Sequence, residues 1–183
     1  MVASVAAAED VSDSWYEASL AGAPMGYMHE TVVTNADGQF VTTLESDFTM
    51  KRGEDLVTVR GVDEWVESPD GTPVSYRQTR KLAAATVELE VTADAERLRL
   101  RKSDGEDAVF SAVQHDGDVL FPMAIKALHA SKGFVVGSEY SFRTFDPDFE
   151  EIATYKVRVA GPEQLVVMGE TRDVTKLVLT CDL

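Results

Sequence analysis

The sequence predicts a mainly β protein: a strongly curved antiparallel sheet, or half-barrel, of about eight to ten strands with one helix on its concave face. Three observations favour this class. Apolar and polar residues alternate with period two over long stretches, most clearly from Phe40 to Lys51. Turn-forming residues separate these stretches, and Asp-Gly dipeptides begin at positions 37, 70, 104 and 116. One short segment, residues 121–133, has helical spacing instead.

The predicted helix covers residues 122–132. Its apolar residues follow the spacing of one helical stripe: Phe121, Ala124, Ile125 and Leu128. Pro122 suits the first helical position, because the amide hydrogen that proline lacks would be unpaired there. Gly133 favours a helix end, because glycine readily adopts the left-handed conformation. The stripe needs an apolar partner, and the concave face of the sheet is the expected one.

Strands are predicted on both sides of this helix. Before it, alternation bounded by turns marks residues 14–20, 25–33, 40–51, 56–67, 74–79 and 108–114. After it, the same pattern marks residues 138–144, 155–159, 165–168 and 177–181. The repeated tight turns, such as Pro69-Asp70-Gly71, predict an antiparallel meander.

A further hairpin, residues 87–100, has a register that its residues predict. With Ala93-Asp94 as a two-residue loop, facing positions sum to 187. The resulting pairs include Leu89 with Leu98 and Glu90 with Arg97. Apolar side chains then meet on one face and acids meet bases on the other, and such pairs each contribute about 0.2–1 kcal/mol. The arginines of this hairpin therefore predict a solvated sheet face rather than a basic binding patch.

The charge of the chain excludes one class of partner. Its 17 Lys and Arg and 32 Asp and Glu residues give a net charge of −15, which repels nucleic-acid phosphates and anionic lipid headgroups. No apolar run reaches the roughly 20 residues that cross a bilayer, so no membrane span is predicted. Cys181 is the single cysteine of the sequence. It excludes an internal disulfide, and its strand pattern predicts a buried structural thiol.

One domain is expected, because 183 residues suffice to bury one good core. The predicted domain covers residues 13–183. Residues 1–12 are left out as a disordered N-terminus or the remnant of a secretory signal, whose small-residue end the run Ala6-Ala7-Ala8 resembles. The strand pattern continues to the end of the chain, so we expect the domain to be part of a longer protein.

The sequence contains no motif of catalysis or metal binding. His29, His115 and His129 lack the spacing of metal ligands. Cys181 lies in a strand pattern, whereas nucleophilic cysteines are commonly activated at helix N-termini or beside cations. Neither a phosphate-binding glycine loop nor a nucleophile elbow nor a dinucleotide fingerprint occurs. We therefore expect no catalytic residues, no metal and no cofactor.

Several short motifs occur in an order that resembles a known family. They are Trp15-Tyr16-Glu17-Ala18-Ser19-Leu20, Met25-Gly26-Tyr27, Lys51-Arg52-Gly53, the helix at 122–129, Phe145-Asp146-Pro147, Val159-Ala160-Gly161-Pro162-Glu163 and Gly169. From Trp15 onward the chain resembles the uncharacterised β-rich domain that precedes transglutaminase-like catalytic domains in some exported bacterial proteins. The resemblance implies a fold similar to that of the periplasmic lipoprotein carriers and a periplasmic or otherwise extracytoplasmic location. It supplies no catalytic residues, because the transglutaminase Cys-His-Asp set belongs to another domain.

Two functions follow as expectations. The first is a non-catalytic accessory or binding domain that positions a substrate chain or a partner, such as a C-terminal catalytic domain of the same protein. The alternative is a carrier of an apolar ligand, a lipid or acyl chain, in the hollow of the curved sheet. The residues expected to contact such a ligand are Phe121, Ile125, Leu128, Trp65 and Tyr140. A cavity of several hundred Å³ would favour the carrier, and a hollow filled by the helix would contradict it.

Two lesser expectations complete this interpretation. An enzyme in its own right ranks third, after the accessory domain and the carrier. The strand aromatics are expected in the core, because such side chains more often pack inside than form a ligand cage, although a hollow lined by them could admit a lipid or peptide. They are Trp15, Tyr16, Tyr27, Trp65, Tyr76, Tyr140 and Phe142.

Overall fold

Two antiparallel sheets and one α-helix make up the part of the chain that the structure describes. The structure is a computed structural model, and it describes residues 9–20, 22–53, 55–82, 85–105, 107–167 and 169–182. The first sheet contains β1 (Glu9–Leu20), β2 (Ala23–Thr34), β3 (Phe40–Arg52), β4 (Asp55–Glu67), β5 (Pro73–Leu82), β6 (Ala85–Ala93), β7 (Arg97–Ser103) and β8 (Ala108–Gln114). The helix α1 (Pro122–Lys132) follows, and the second sheet contains β9 (Glu139–Asp146), β10 (Glu151–Val167) and β11 (Glu170–Asp182).

The first sheet is an open meander. Its eight strands pair in sequence order from β1 to β8, and the second sheet has the order β11-β10-β9. The order leaves β1 and β8 as the two edges of the first sheet, so the sheet is not closed into a barrel. The predicted fold class, mainly β with a large antiparallel sheet and one helix, is confirmed.

Local turn chemistry explains where the chain reverses. Between β2 and β3 the side chain of Asn35 accepts hydrogen bonds from the backbone N–H groups of Asp37 and Gln39, both at 3.0 Å. Gly38 completes this turn at φ 76°, a conformation that glycine adopts without steric cost. The Asp-Gly dipeptides at 37, 70 and 104 all lie between consecutive strands, as the sequence predicts.

The core lies between one face of the first sheet and the segments that cover it. Trp65, Tyr76, Val91 and Leu100 face one another across β4 to β7, and we call the face that carries them the concave face. Leu89 and Leu98 extend the same buried cluster, which Val119, Phe121 and Phe145 cover from the chain around α1 and β9. Alternate residues of each strand thus point into the core, as the period of two requires.

The helix has the predicted bounds and ends. Gly133 ends it in the left-handed conformation, with φ 69°. Of the predicted stripe, Phe121 is fully buried, and Ala124, Ile125 and Leu128 are half-buried. The helix lies against the concave face, where Lys126 forms an ion pair with Glu30 of β2.

The predicted register of the β6–β7 hairpin is wrong. Val91 faces Leu100, so facing positions sum to 191 rather than 187. The reason is the position of the turn. Asp94 N–H donates to Arg97 O at 2.9 Å, and the Asp94 carboxylate accepts backbone N–H bonds from Glu96 and Arg97 at 3.0 and 2.9 Å. The chain therefore reverses at Ala95-Glu96, after the predicted turn at Ala93-Asp94. Because the change in register is even, every side chain keeps its predicted face.

Two other expectations differ from the structure at the ends of the chain. Cys181 is exposed, so the predicted buried thiol is wrong; it lies on β11, an edge strand on which most described residues are exposed. β1 begins at Glu9, so residues 9–12, which the predicted domain bounds leave out, lie within a strand. Residues 1–8 lie outside the described residues.

Candidate functional site

An apolar cavity of about 260 Å³ lies between α1 and the second sheet. Its apolar lining includes Trp65, Pro122, Ile125, Phe142, Phe145 and Leu179. One polar contact stands at its border, where the Tyr155 hydroxyl donates to the Asp146 carboxylate at 2.9 Å. Burial and the adjacent carboxylate raise the pKa of Tyr155, which keeps its hydroxyl protonated. The cavity therefore suits a small apolar group.

The structure brings together some of the five predicted contact residues and separates the others. Trp65 and Ile125 line the cavity. Phe121 is fully buried in the adjoining core, where no ligand reaches it without unpacking. Leu128 is half-buried on α1 and is not part of the cavity wall. Tyr140 borders a different groove, of about 400 Å³, on the second sheet.

A histidine on α1 joins the helix to the second sheet. Nδ1 of His129 lies 2.7 Å from the Tyr140 hydroxyl, and the two rings meet edge to face at 5.6 Å. Burial lowers the pKa of His129, which favours the neutral ring. The hydrogen bond joins α1 to β9, and the tautomer of the ring determines which of the two atoms donates.

A polar network is buried on the concave face, and the sequence interpretation missed it. Asp63 is 3% exposed and accepts two hydrogen bonds from Arg80, at 2.7 and 3.1 Å. Tyr76 and Gln78 also donate to Asp63, and burial raises the pKa of Tyr76. The sequence does contain a sign of this network. If the chain reverses at Pro69-Asp70-Gly71, Asp63 faces Gln78 across the two strands, as it does in the structure.

Two buried carboxylates hold the helix. Glu67 accepts backbone N–H bonds from Met123 at 2.8 Å and from Ala124 at 3.0 Å. Burial raises the pKa of Glu67, and those bonds and the charge of Lys126 offset part of the increase. Glu30 accepts from the Tyr16 hydroxyl at 3.3 Å and pairs with Lys126. These carboxylates are thus committed to structural contacts.

Three aromatic rings of β1 and β2 that were expected in the core are exposed. Trp15 is 53% exposed, and Tyr16 and Tyr27 are exposed as well. Trp15 stacks on His29 with ring centroids 4.1 Å apart. The expectation is wrong because Trp15 and Tyr27 point away from the concave face, and Tyr16, which points toward it, lies on the edge strand β1. A shallow groove of about 250 Å³ runs beside Tyr27.

The described residues contain neither a metal-binding cluster nor a membrane-spanning helix. Among these residues, no group of three or more His, Cys, Asp or Glu side chains is placed to hold a metal ion. No helix in this part of the chain has the length and apolar character to cross a membrane.

Comparison with known proteins gives a fold. No family model matches the sequence, and no curated protein matches it. The chain is similar to the crystal structure of a β-barrel-like protein of a domain of unknown function, DUF1849, from Brucella abortus. The TM-score is 0.59 at 16% identity, over 87% of this chain and 70% of that one. At this identity the likeness shows the fold alone, a β-rich barrel-like architecture.

Proposed function

We propose that the protein is a non-catalytic accessory domain of an exported bacterial protein of the transglutaminase-like kind, where it positions a partner domain or a substrate chain. The resemblance that begins at Trp15 motivates the family. The observation that carries the accessory role, against that of a carrier, is the fastening of α1 to the concave face. A rigid helix suits a platform, whereas a carrier must open to load its ligand.

Two buried carboxylates of the sheet, Glu67 and Glu30, hold α1 in place. Glu67 is 0% exposed and holds the first turn of α1 through Met123 and Ala124. Glu30 is also buried and pairs with Lys126 in the middle of the helix. Moving α1 off the sheet would exchange these contacts for contacts with water, and hydrogen bonds to charged groups each stabilise a fold by about 1.5–3 kcal/mol net. The contacts therefore favour a helix that stays in place.

The size of the cavity points the same way. Ligand pockets commonly enclose about 300–1,000 Å³, and the cavity beside α1 has about 260 Å³. A long acyl chain would need more room than this, so the volume supports a platform over a lipid carrier.

The segment after α1 offers a surface to a partner. Phe134, Val135 and Val136 are consecutive exposed apolar residues. Backbone hydrogen bonds hold this segment in one conformation: Gly137 N–H donates to Val159 O at 2.9 Å, and Ser138 N–H donates to Val135 O at 3.0 Å. Exposed apolar groups on a fixed backbone are typical of interaction sites, because little ordering entropy is lost on binding.

Calorimetric titration of the chain with the transglutaminase-like domain encoded in the same reading frame tests the proposal. We expect saturable binding that Val135→Asp weakens about tenfold or more, because a charge would enter an apolar contact. Ala130→Asp, an exposed change on α1, should bind like the wild type. A reading frame without such a domain, or binding that both variants leave unchanged, would contradict it.

A second candidate function, the carrier, rests on one observation: the cavity lining is apolar. For this candidate, palmitate should raise the melting temperature of the chain, and Ile125→Trp should abolish the increase by filling the cavity. If palmitate stabilises the chain and the partner domain does not bind, the protein is a carrier and not an accessory domain.

The proposal includes a periplasmic or otherwise extracytoplasmic location, which rests on the resemblance. Fusion of the full reading frame to alkaline phosphatase tests it, because that reporter is active only after export. A fusion protein that is abundant but has no phosphatase activity would contradict export. It would not affect the conclusion drawn from the binding measurements.

A further inference from the structure

The edge strand β8 differs in composition from the other edges. Of the four edge strands in the described part of the chain, β8 is the one whose bounds contain no charged residue and no proline. The other edges carry charges that include Asp13 and Glu17 in β1, Glu139 and Arg143 in β9, and Arg172 and Lys176 in β11. Charges on an edge strand discourage pairing with another chain, and their absence leaves the edge competent to pair.

Most side chains of β8 are exposed, and they include residues on both faces of the sheet. Val109 is 68% exposed and Phe110 is 73% exposed, and successive residues of a strand point to opposite faces. Ser111 and Ala112 are exposed too. Val113 packs against the core, whereas the side chains from Val109 to Ala112 are all exposed, so a neighbouring strand would supply contacts that they lack.

The cations next to β8 already have partners within the chain. All four cations of the adjacent strand β7 are paired within the chain: Arg97 and Arg99 with Asp94, Arg101 with Glu90, and Lys102 with Glu150. An acidic partner would find no uncommitted cation here. Because the chain has a net charge of −15, two copies repel each other in general. Of the described edge strands, β8, which carries no charge between the flanking residues Asp107 and Asp116, is the one where two copies approach at least cost.

The backbone geometry determines which groups of β8 are available. The N–H of His115 donates to the carbonyl of Glu96 at 2.8 Å, and the register of β7 and β8 continues from there without a bulge. In an antiparallel pair, residues of one parity direct N–H and C=O toward the neighbour. Val109, Ser111 and Val113 therefore bond to β7. The free edge presents the backbone groups of Ala108, Phe110, Ala112 and Gln114.

We propose that β8 pairs antiparallel with β8 of a second copy of this chain about a two-fold axis at Ser111. In that register Phe110 and Ala112 of one copy exchange hydrogen bonds with Ala112 and Phe110 of the other, and Ala108 does so with Gln114. A large side chain meets a small one, and Val109 meets Val113 on the opposite face. The strand is self-complementary, as a two-fold interface requires, and this inference goes beyond the proposed function.

Sedimentation equilibrium of the full chain tests the interface. We expect a dimer at micromolar concentration in physiological salt. Ser111→Lys should raise the dissociation constant about tenfold or more, because it sets two like charges directly opposite each other. Ser19→Lys adds the same charge at an exposed position of β1, the other edge of the sheet, and should leave the constant unchanged.

Cysteine cross-linking tests the register in a Cys181→Ser background. Ser111 faces its own copy as a pair without hydrogen bonds, with Cα atoms about 4.5 Å apart, so Ser111→Cys should oxidise to a covalent dimer. Val109→Cys is the matched control, because its two copies would lie about 13 Å apart along the strands, beyond the reach of a disulfide. A chain that stays monomeric, a dimer broken by Ser19→Lys instead, or equal cross-linking of both cysteines would overturn the proposal.

Discussion

The buried carboxylate of Glu67 accepts a hydrogen bond from the backbone N–H of Met123 at 2.8 Å, across 56 positions of sequence. Its other oxygen accepts from Ala124 at 3.0 Å. The helix has no capping side chain of its own, because its N-cap residue is Phe121. The last residue of β4 therefore does the work of an N-cap, and this contact fixes where α1 begins on the concave face.

Replacing this cap should lower the free energy of unfolding. Glu67→Ala leaves the two N–H groups without their acceptor, and we expect a loss of about 1–3 kcal/mol. Glu67→Gln should lose less, because its amide oxygen still accepts a hydrogen bond. Urea unfolding followed by circular dichroism measures both. Glu88→Ala, an exposed change on β6, should stay within about 0.5 kcal/mol of the wild type, and an equal effect of Glu67→Ala would contradict the capping role.

Stability should depend on pH through His129. Burial lowers the pKa of this ring in the folded state below the ordinary value of 6.5, so the unfolded chain binds the proton first as the pH falls. Its contribution to stability is complete above pH 6.5 and is lost as the pH falls through the folded pKa. Unfolding free energy measured from about pH 7.5 downward should therefore decrease, and His129→Phe should flatten that decrease.

Tyr140→Phe is the matched control for this pH dependence. It removes the hydrogen bond to His129 and keeps an aromatic ring in place. Because burial rather than this bond lowers the pKa, the variant should lose some stability at every pH and keep the wild-type slope. A His129→Phe variant with the wild-type slope would show that other groups cause the dependence.

The contrast between α1 and Glu67 shows what the sequence can predict. Pro122 and Gly133 signal the helix ends because each acts through its own backbone conformation, so the predicted bounds agree with the structure. Glu67 has no comparable local signal, since its partners lie in a segment far along the chain. The resemblance and the alternation predicted the sheet and the helix, but not the cap that joins them.

The predicted register of the β6–β7 hairpin was wrong for a different reason. Both the predicted register and the observed one bring apolar residues together and set Glu90 beside an arginine, which is Arg101 in the structure. Side-chain pairing alone therefore does not choose between them. The choice is made by the Asp94 carboxylate, which accepts from Glu96 N–H and Arg97 N–H at the turn, and an Asp residue is common in turns at more than one position. Of the cavity wall, Trp65 and Ile125 were among the predicted contact residues, whereas Phe145 and Leu179 were not, because they come from distant segments.

The pair of Asp63 and Arg80 should show how costly an unmatched buried charge is. Arg80→Met leaves the carboxylate of Asp63 without its cation, and we expect a loss of about 3–5 kcal/mol. Adding Asp63→Asn should recover part of it, because a neutral amide needs no counter-ion and still accepts from Tyr76. Denaturant unfolding of the single and double variants measures the coupling.

The exposed pair of Arg60 and Asp47, at 2.8 Å, supplies the control for that experiment. Arg60→Met should cost no more than about 1 kcal/mol, since water solvates the carboxylate that remains. If Arg80→Met cost no more than Arg60→Met, the buried network would contribute little to the fold.

Leu128 decides whether α1 can leave the sheet. It is half-buried on the inward stripe of the helix, so Leu128→Asp directs a charge toward apolar groups and should lower the free energy of unfolding by about 1–3 kcal/mol. Ala130→Asp is the control, because it adds the same charge two residues away at an exposed position of the same helix. An aspartate has a similar effect on helix propensity and on the helix dipole at both positions. The control should therefore change the free energy of unfolding little. Limited proteolysis distinguishes the mechanisms: a fastened helix exposes new cleavage sites throughout the chain when it fails, because the core opens with it. Cleavage confined to residues 122–137 with the rest intact would instead show a helix that detaches on its own, and that outcome would favour the carrier.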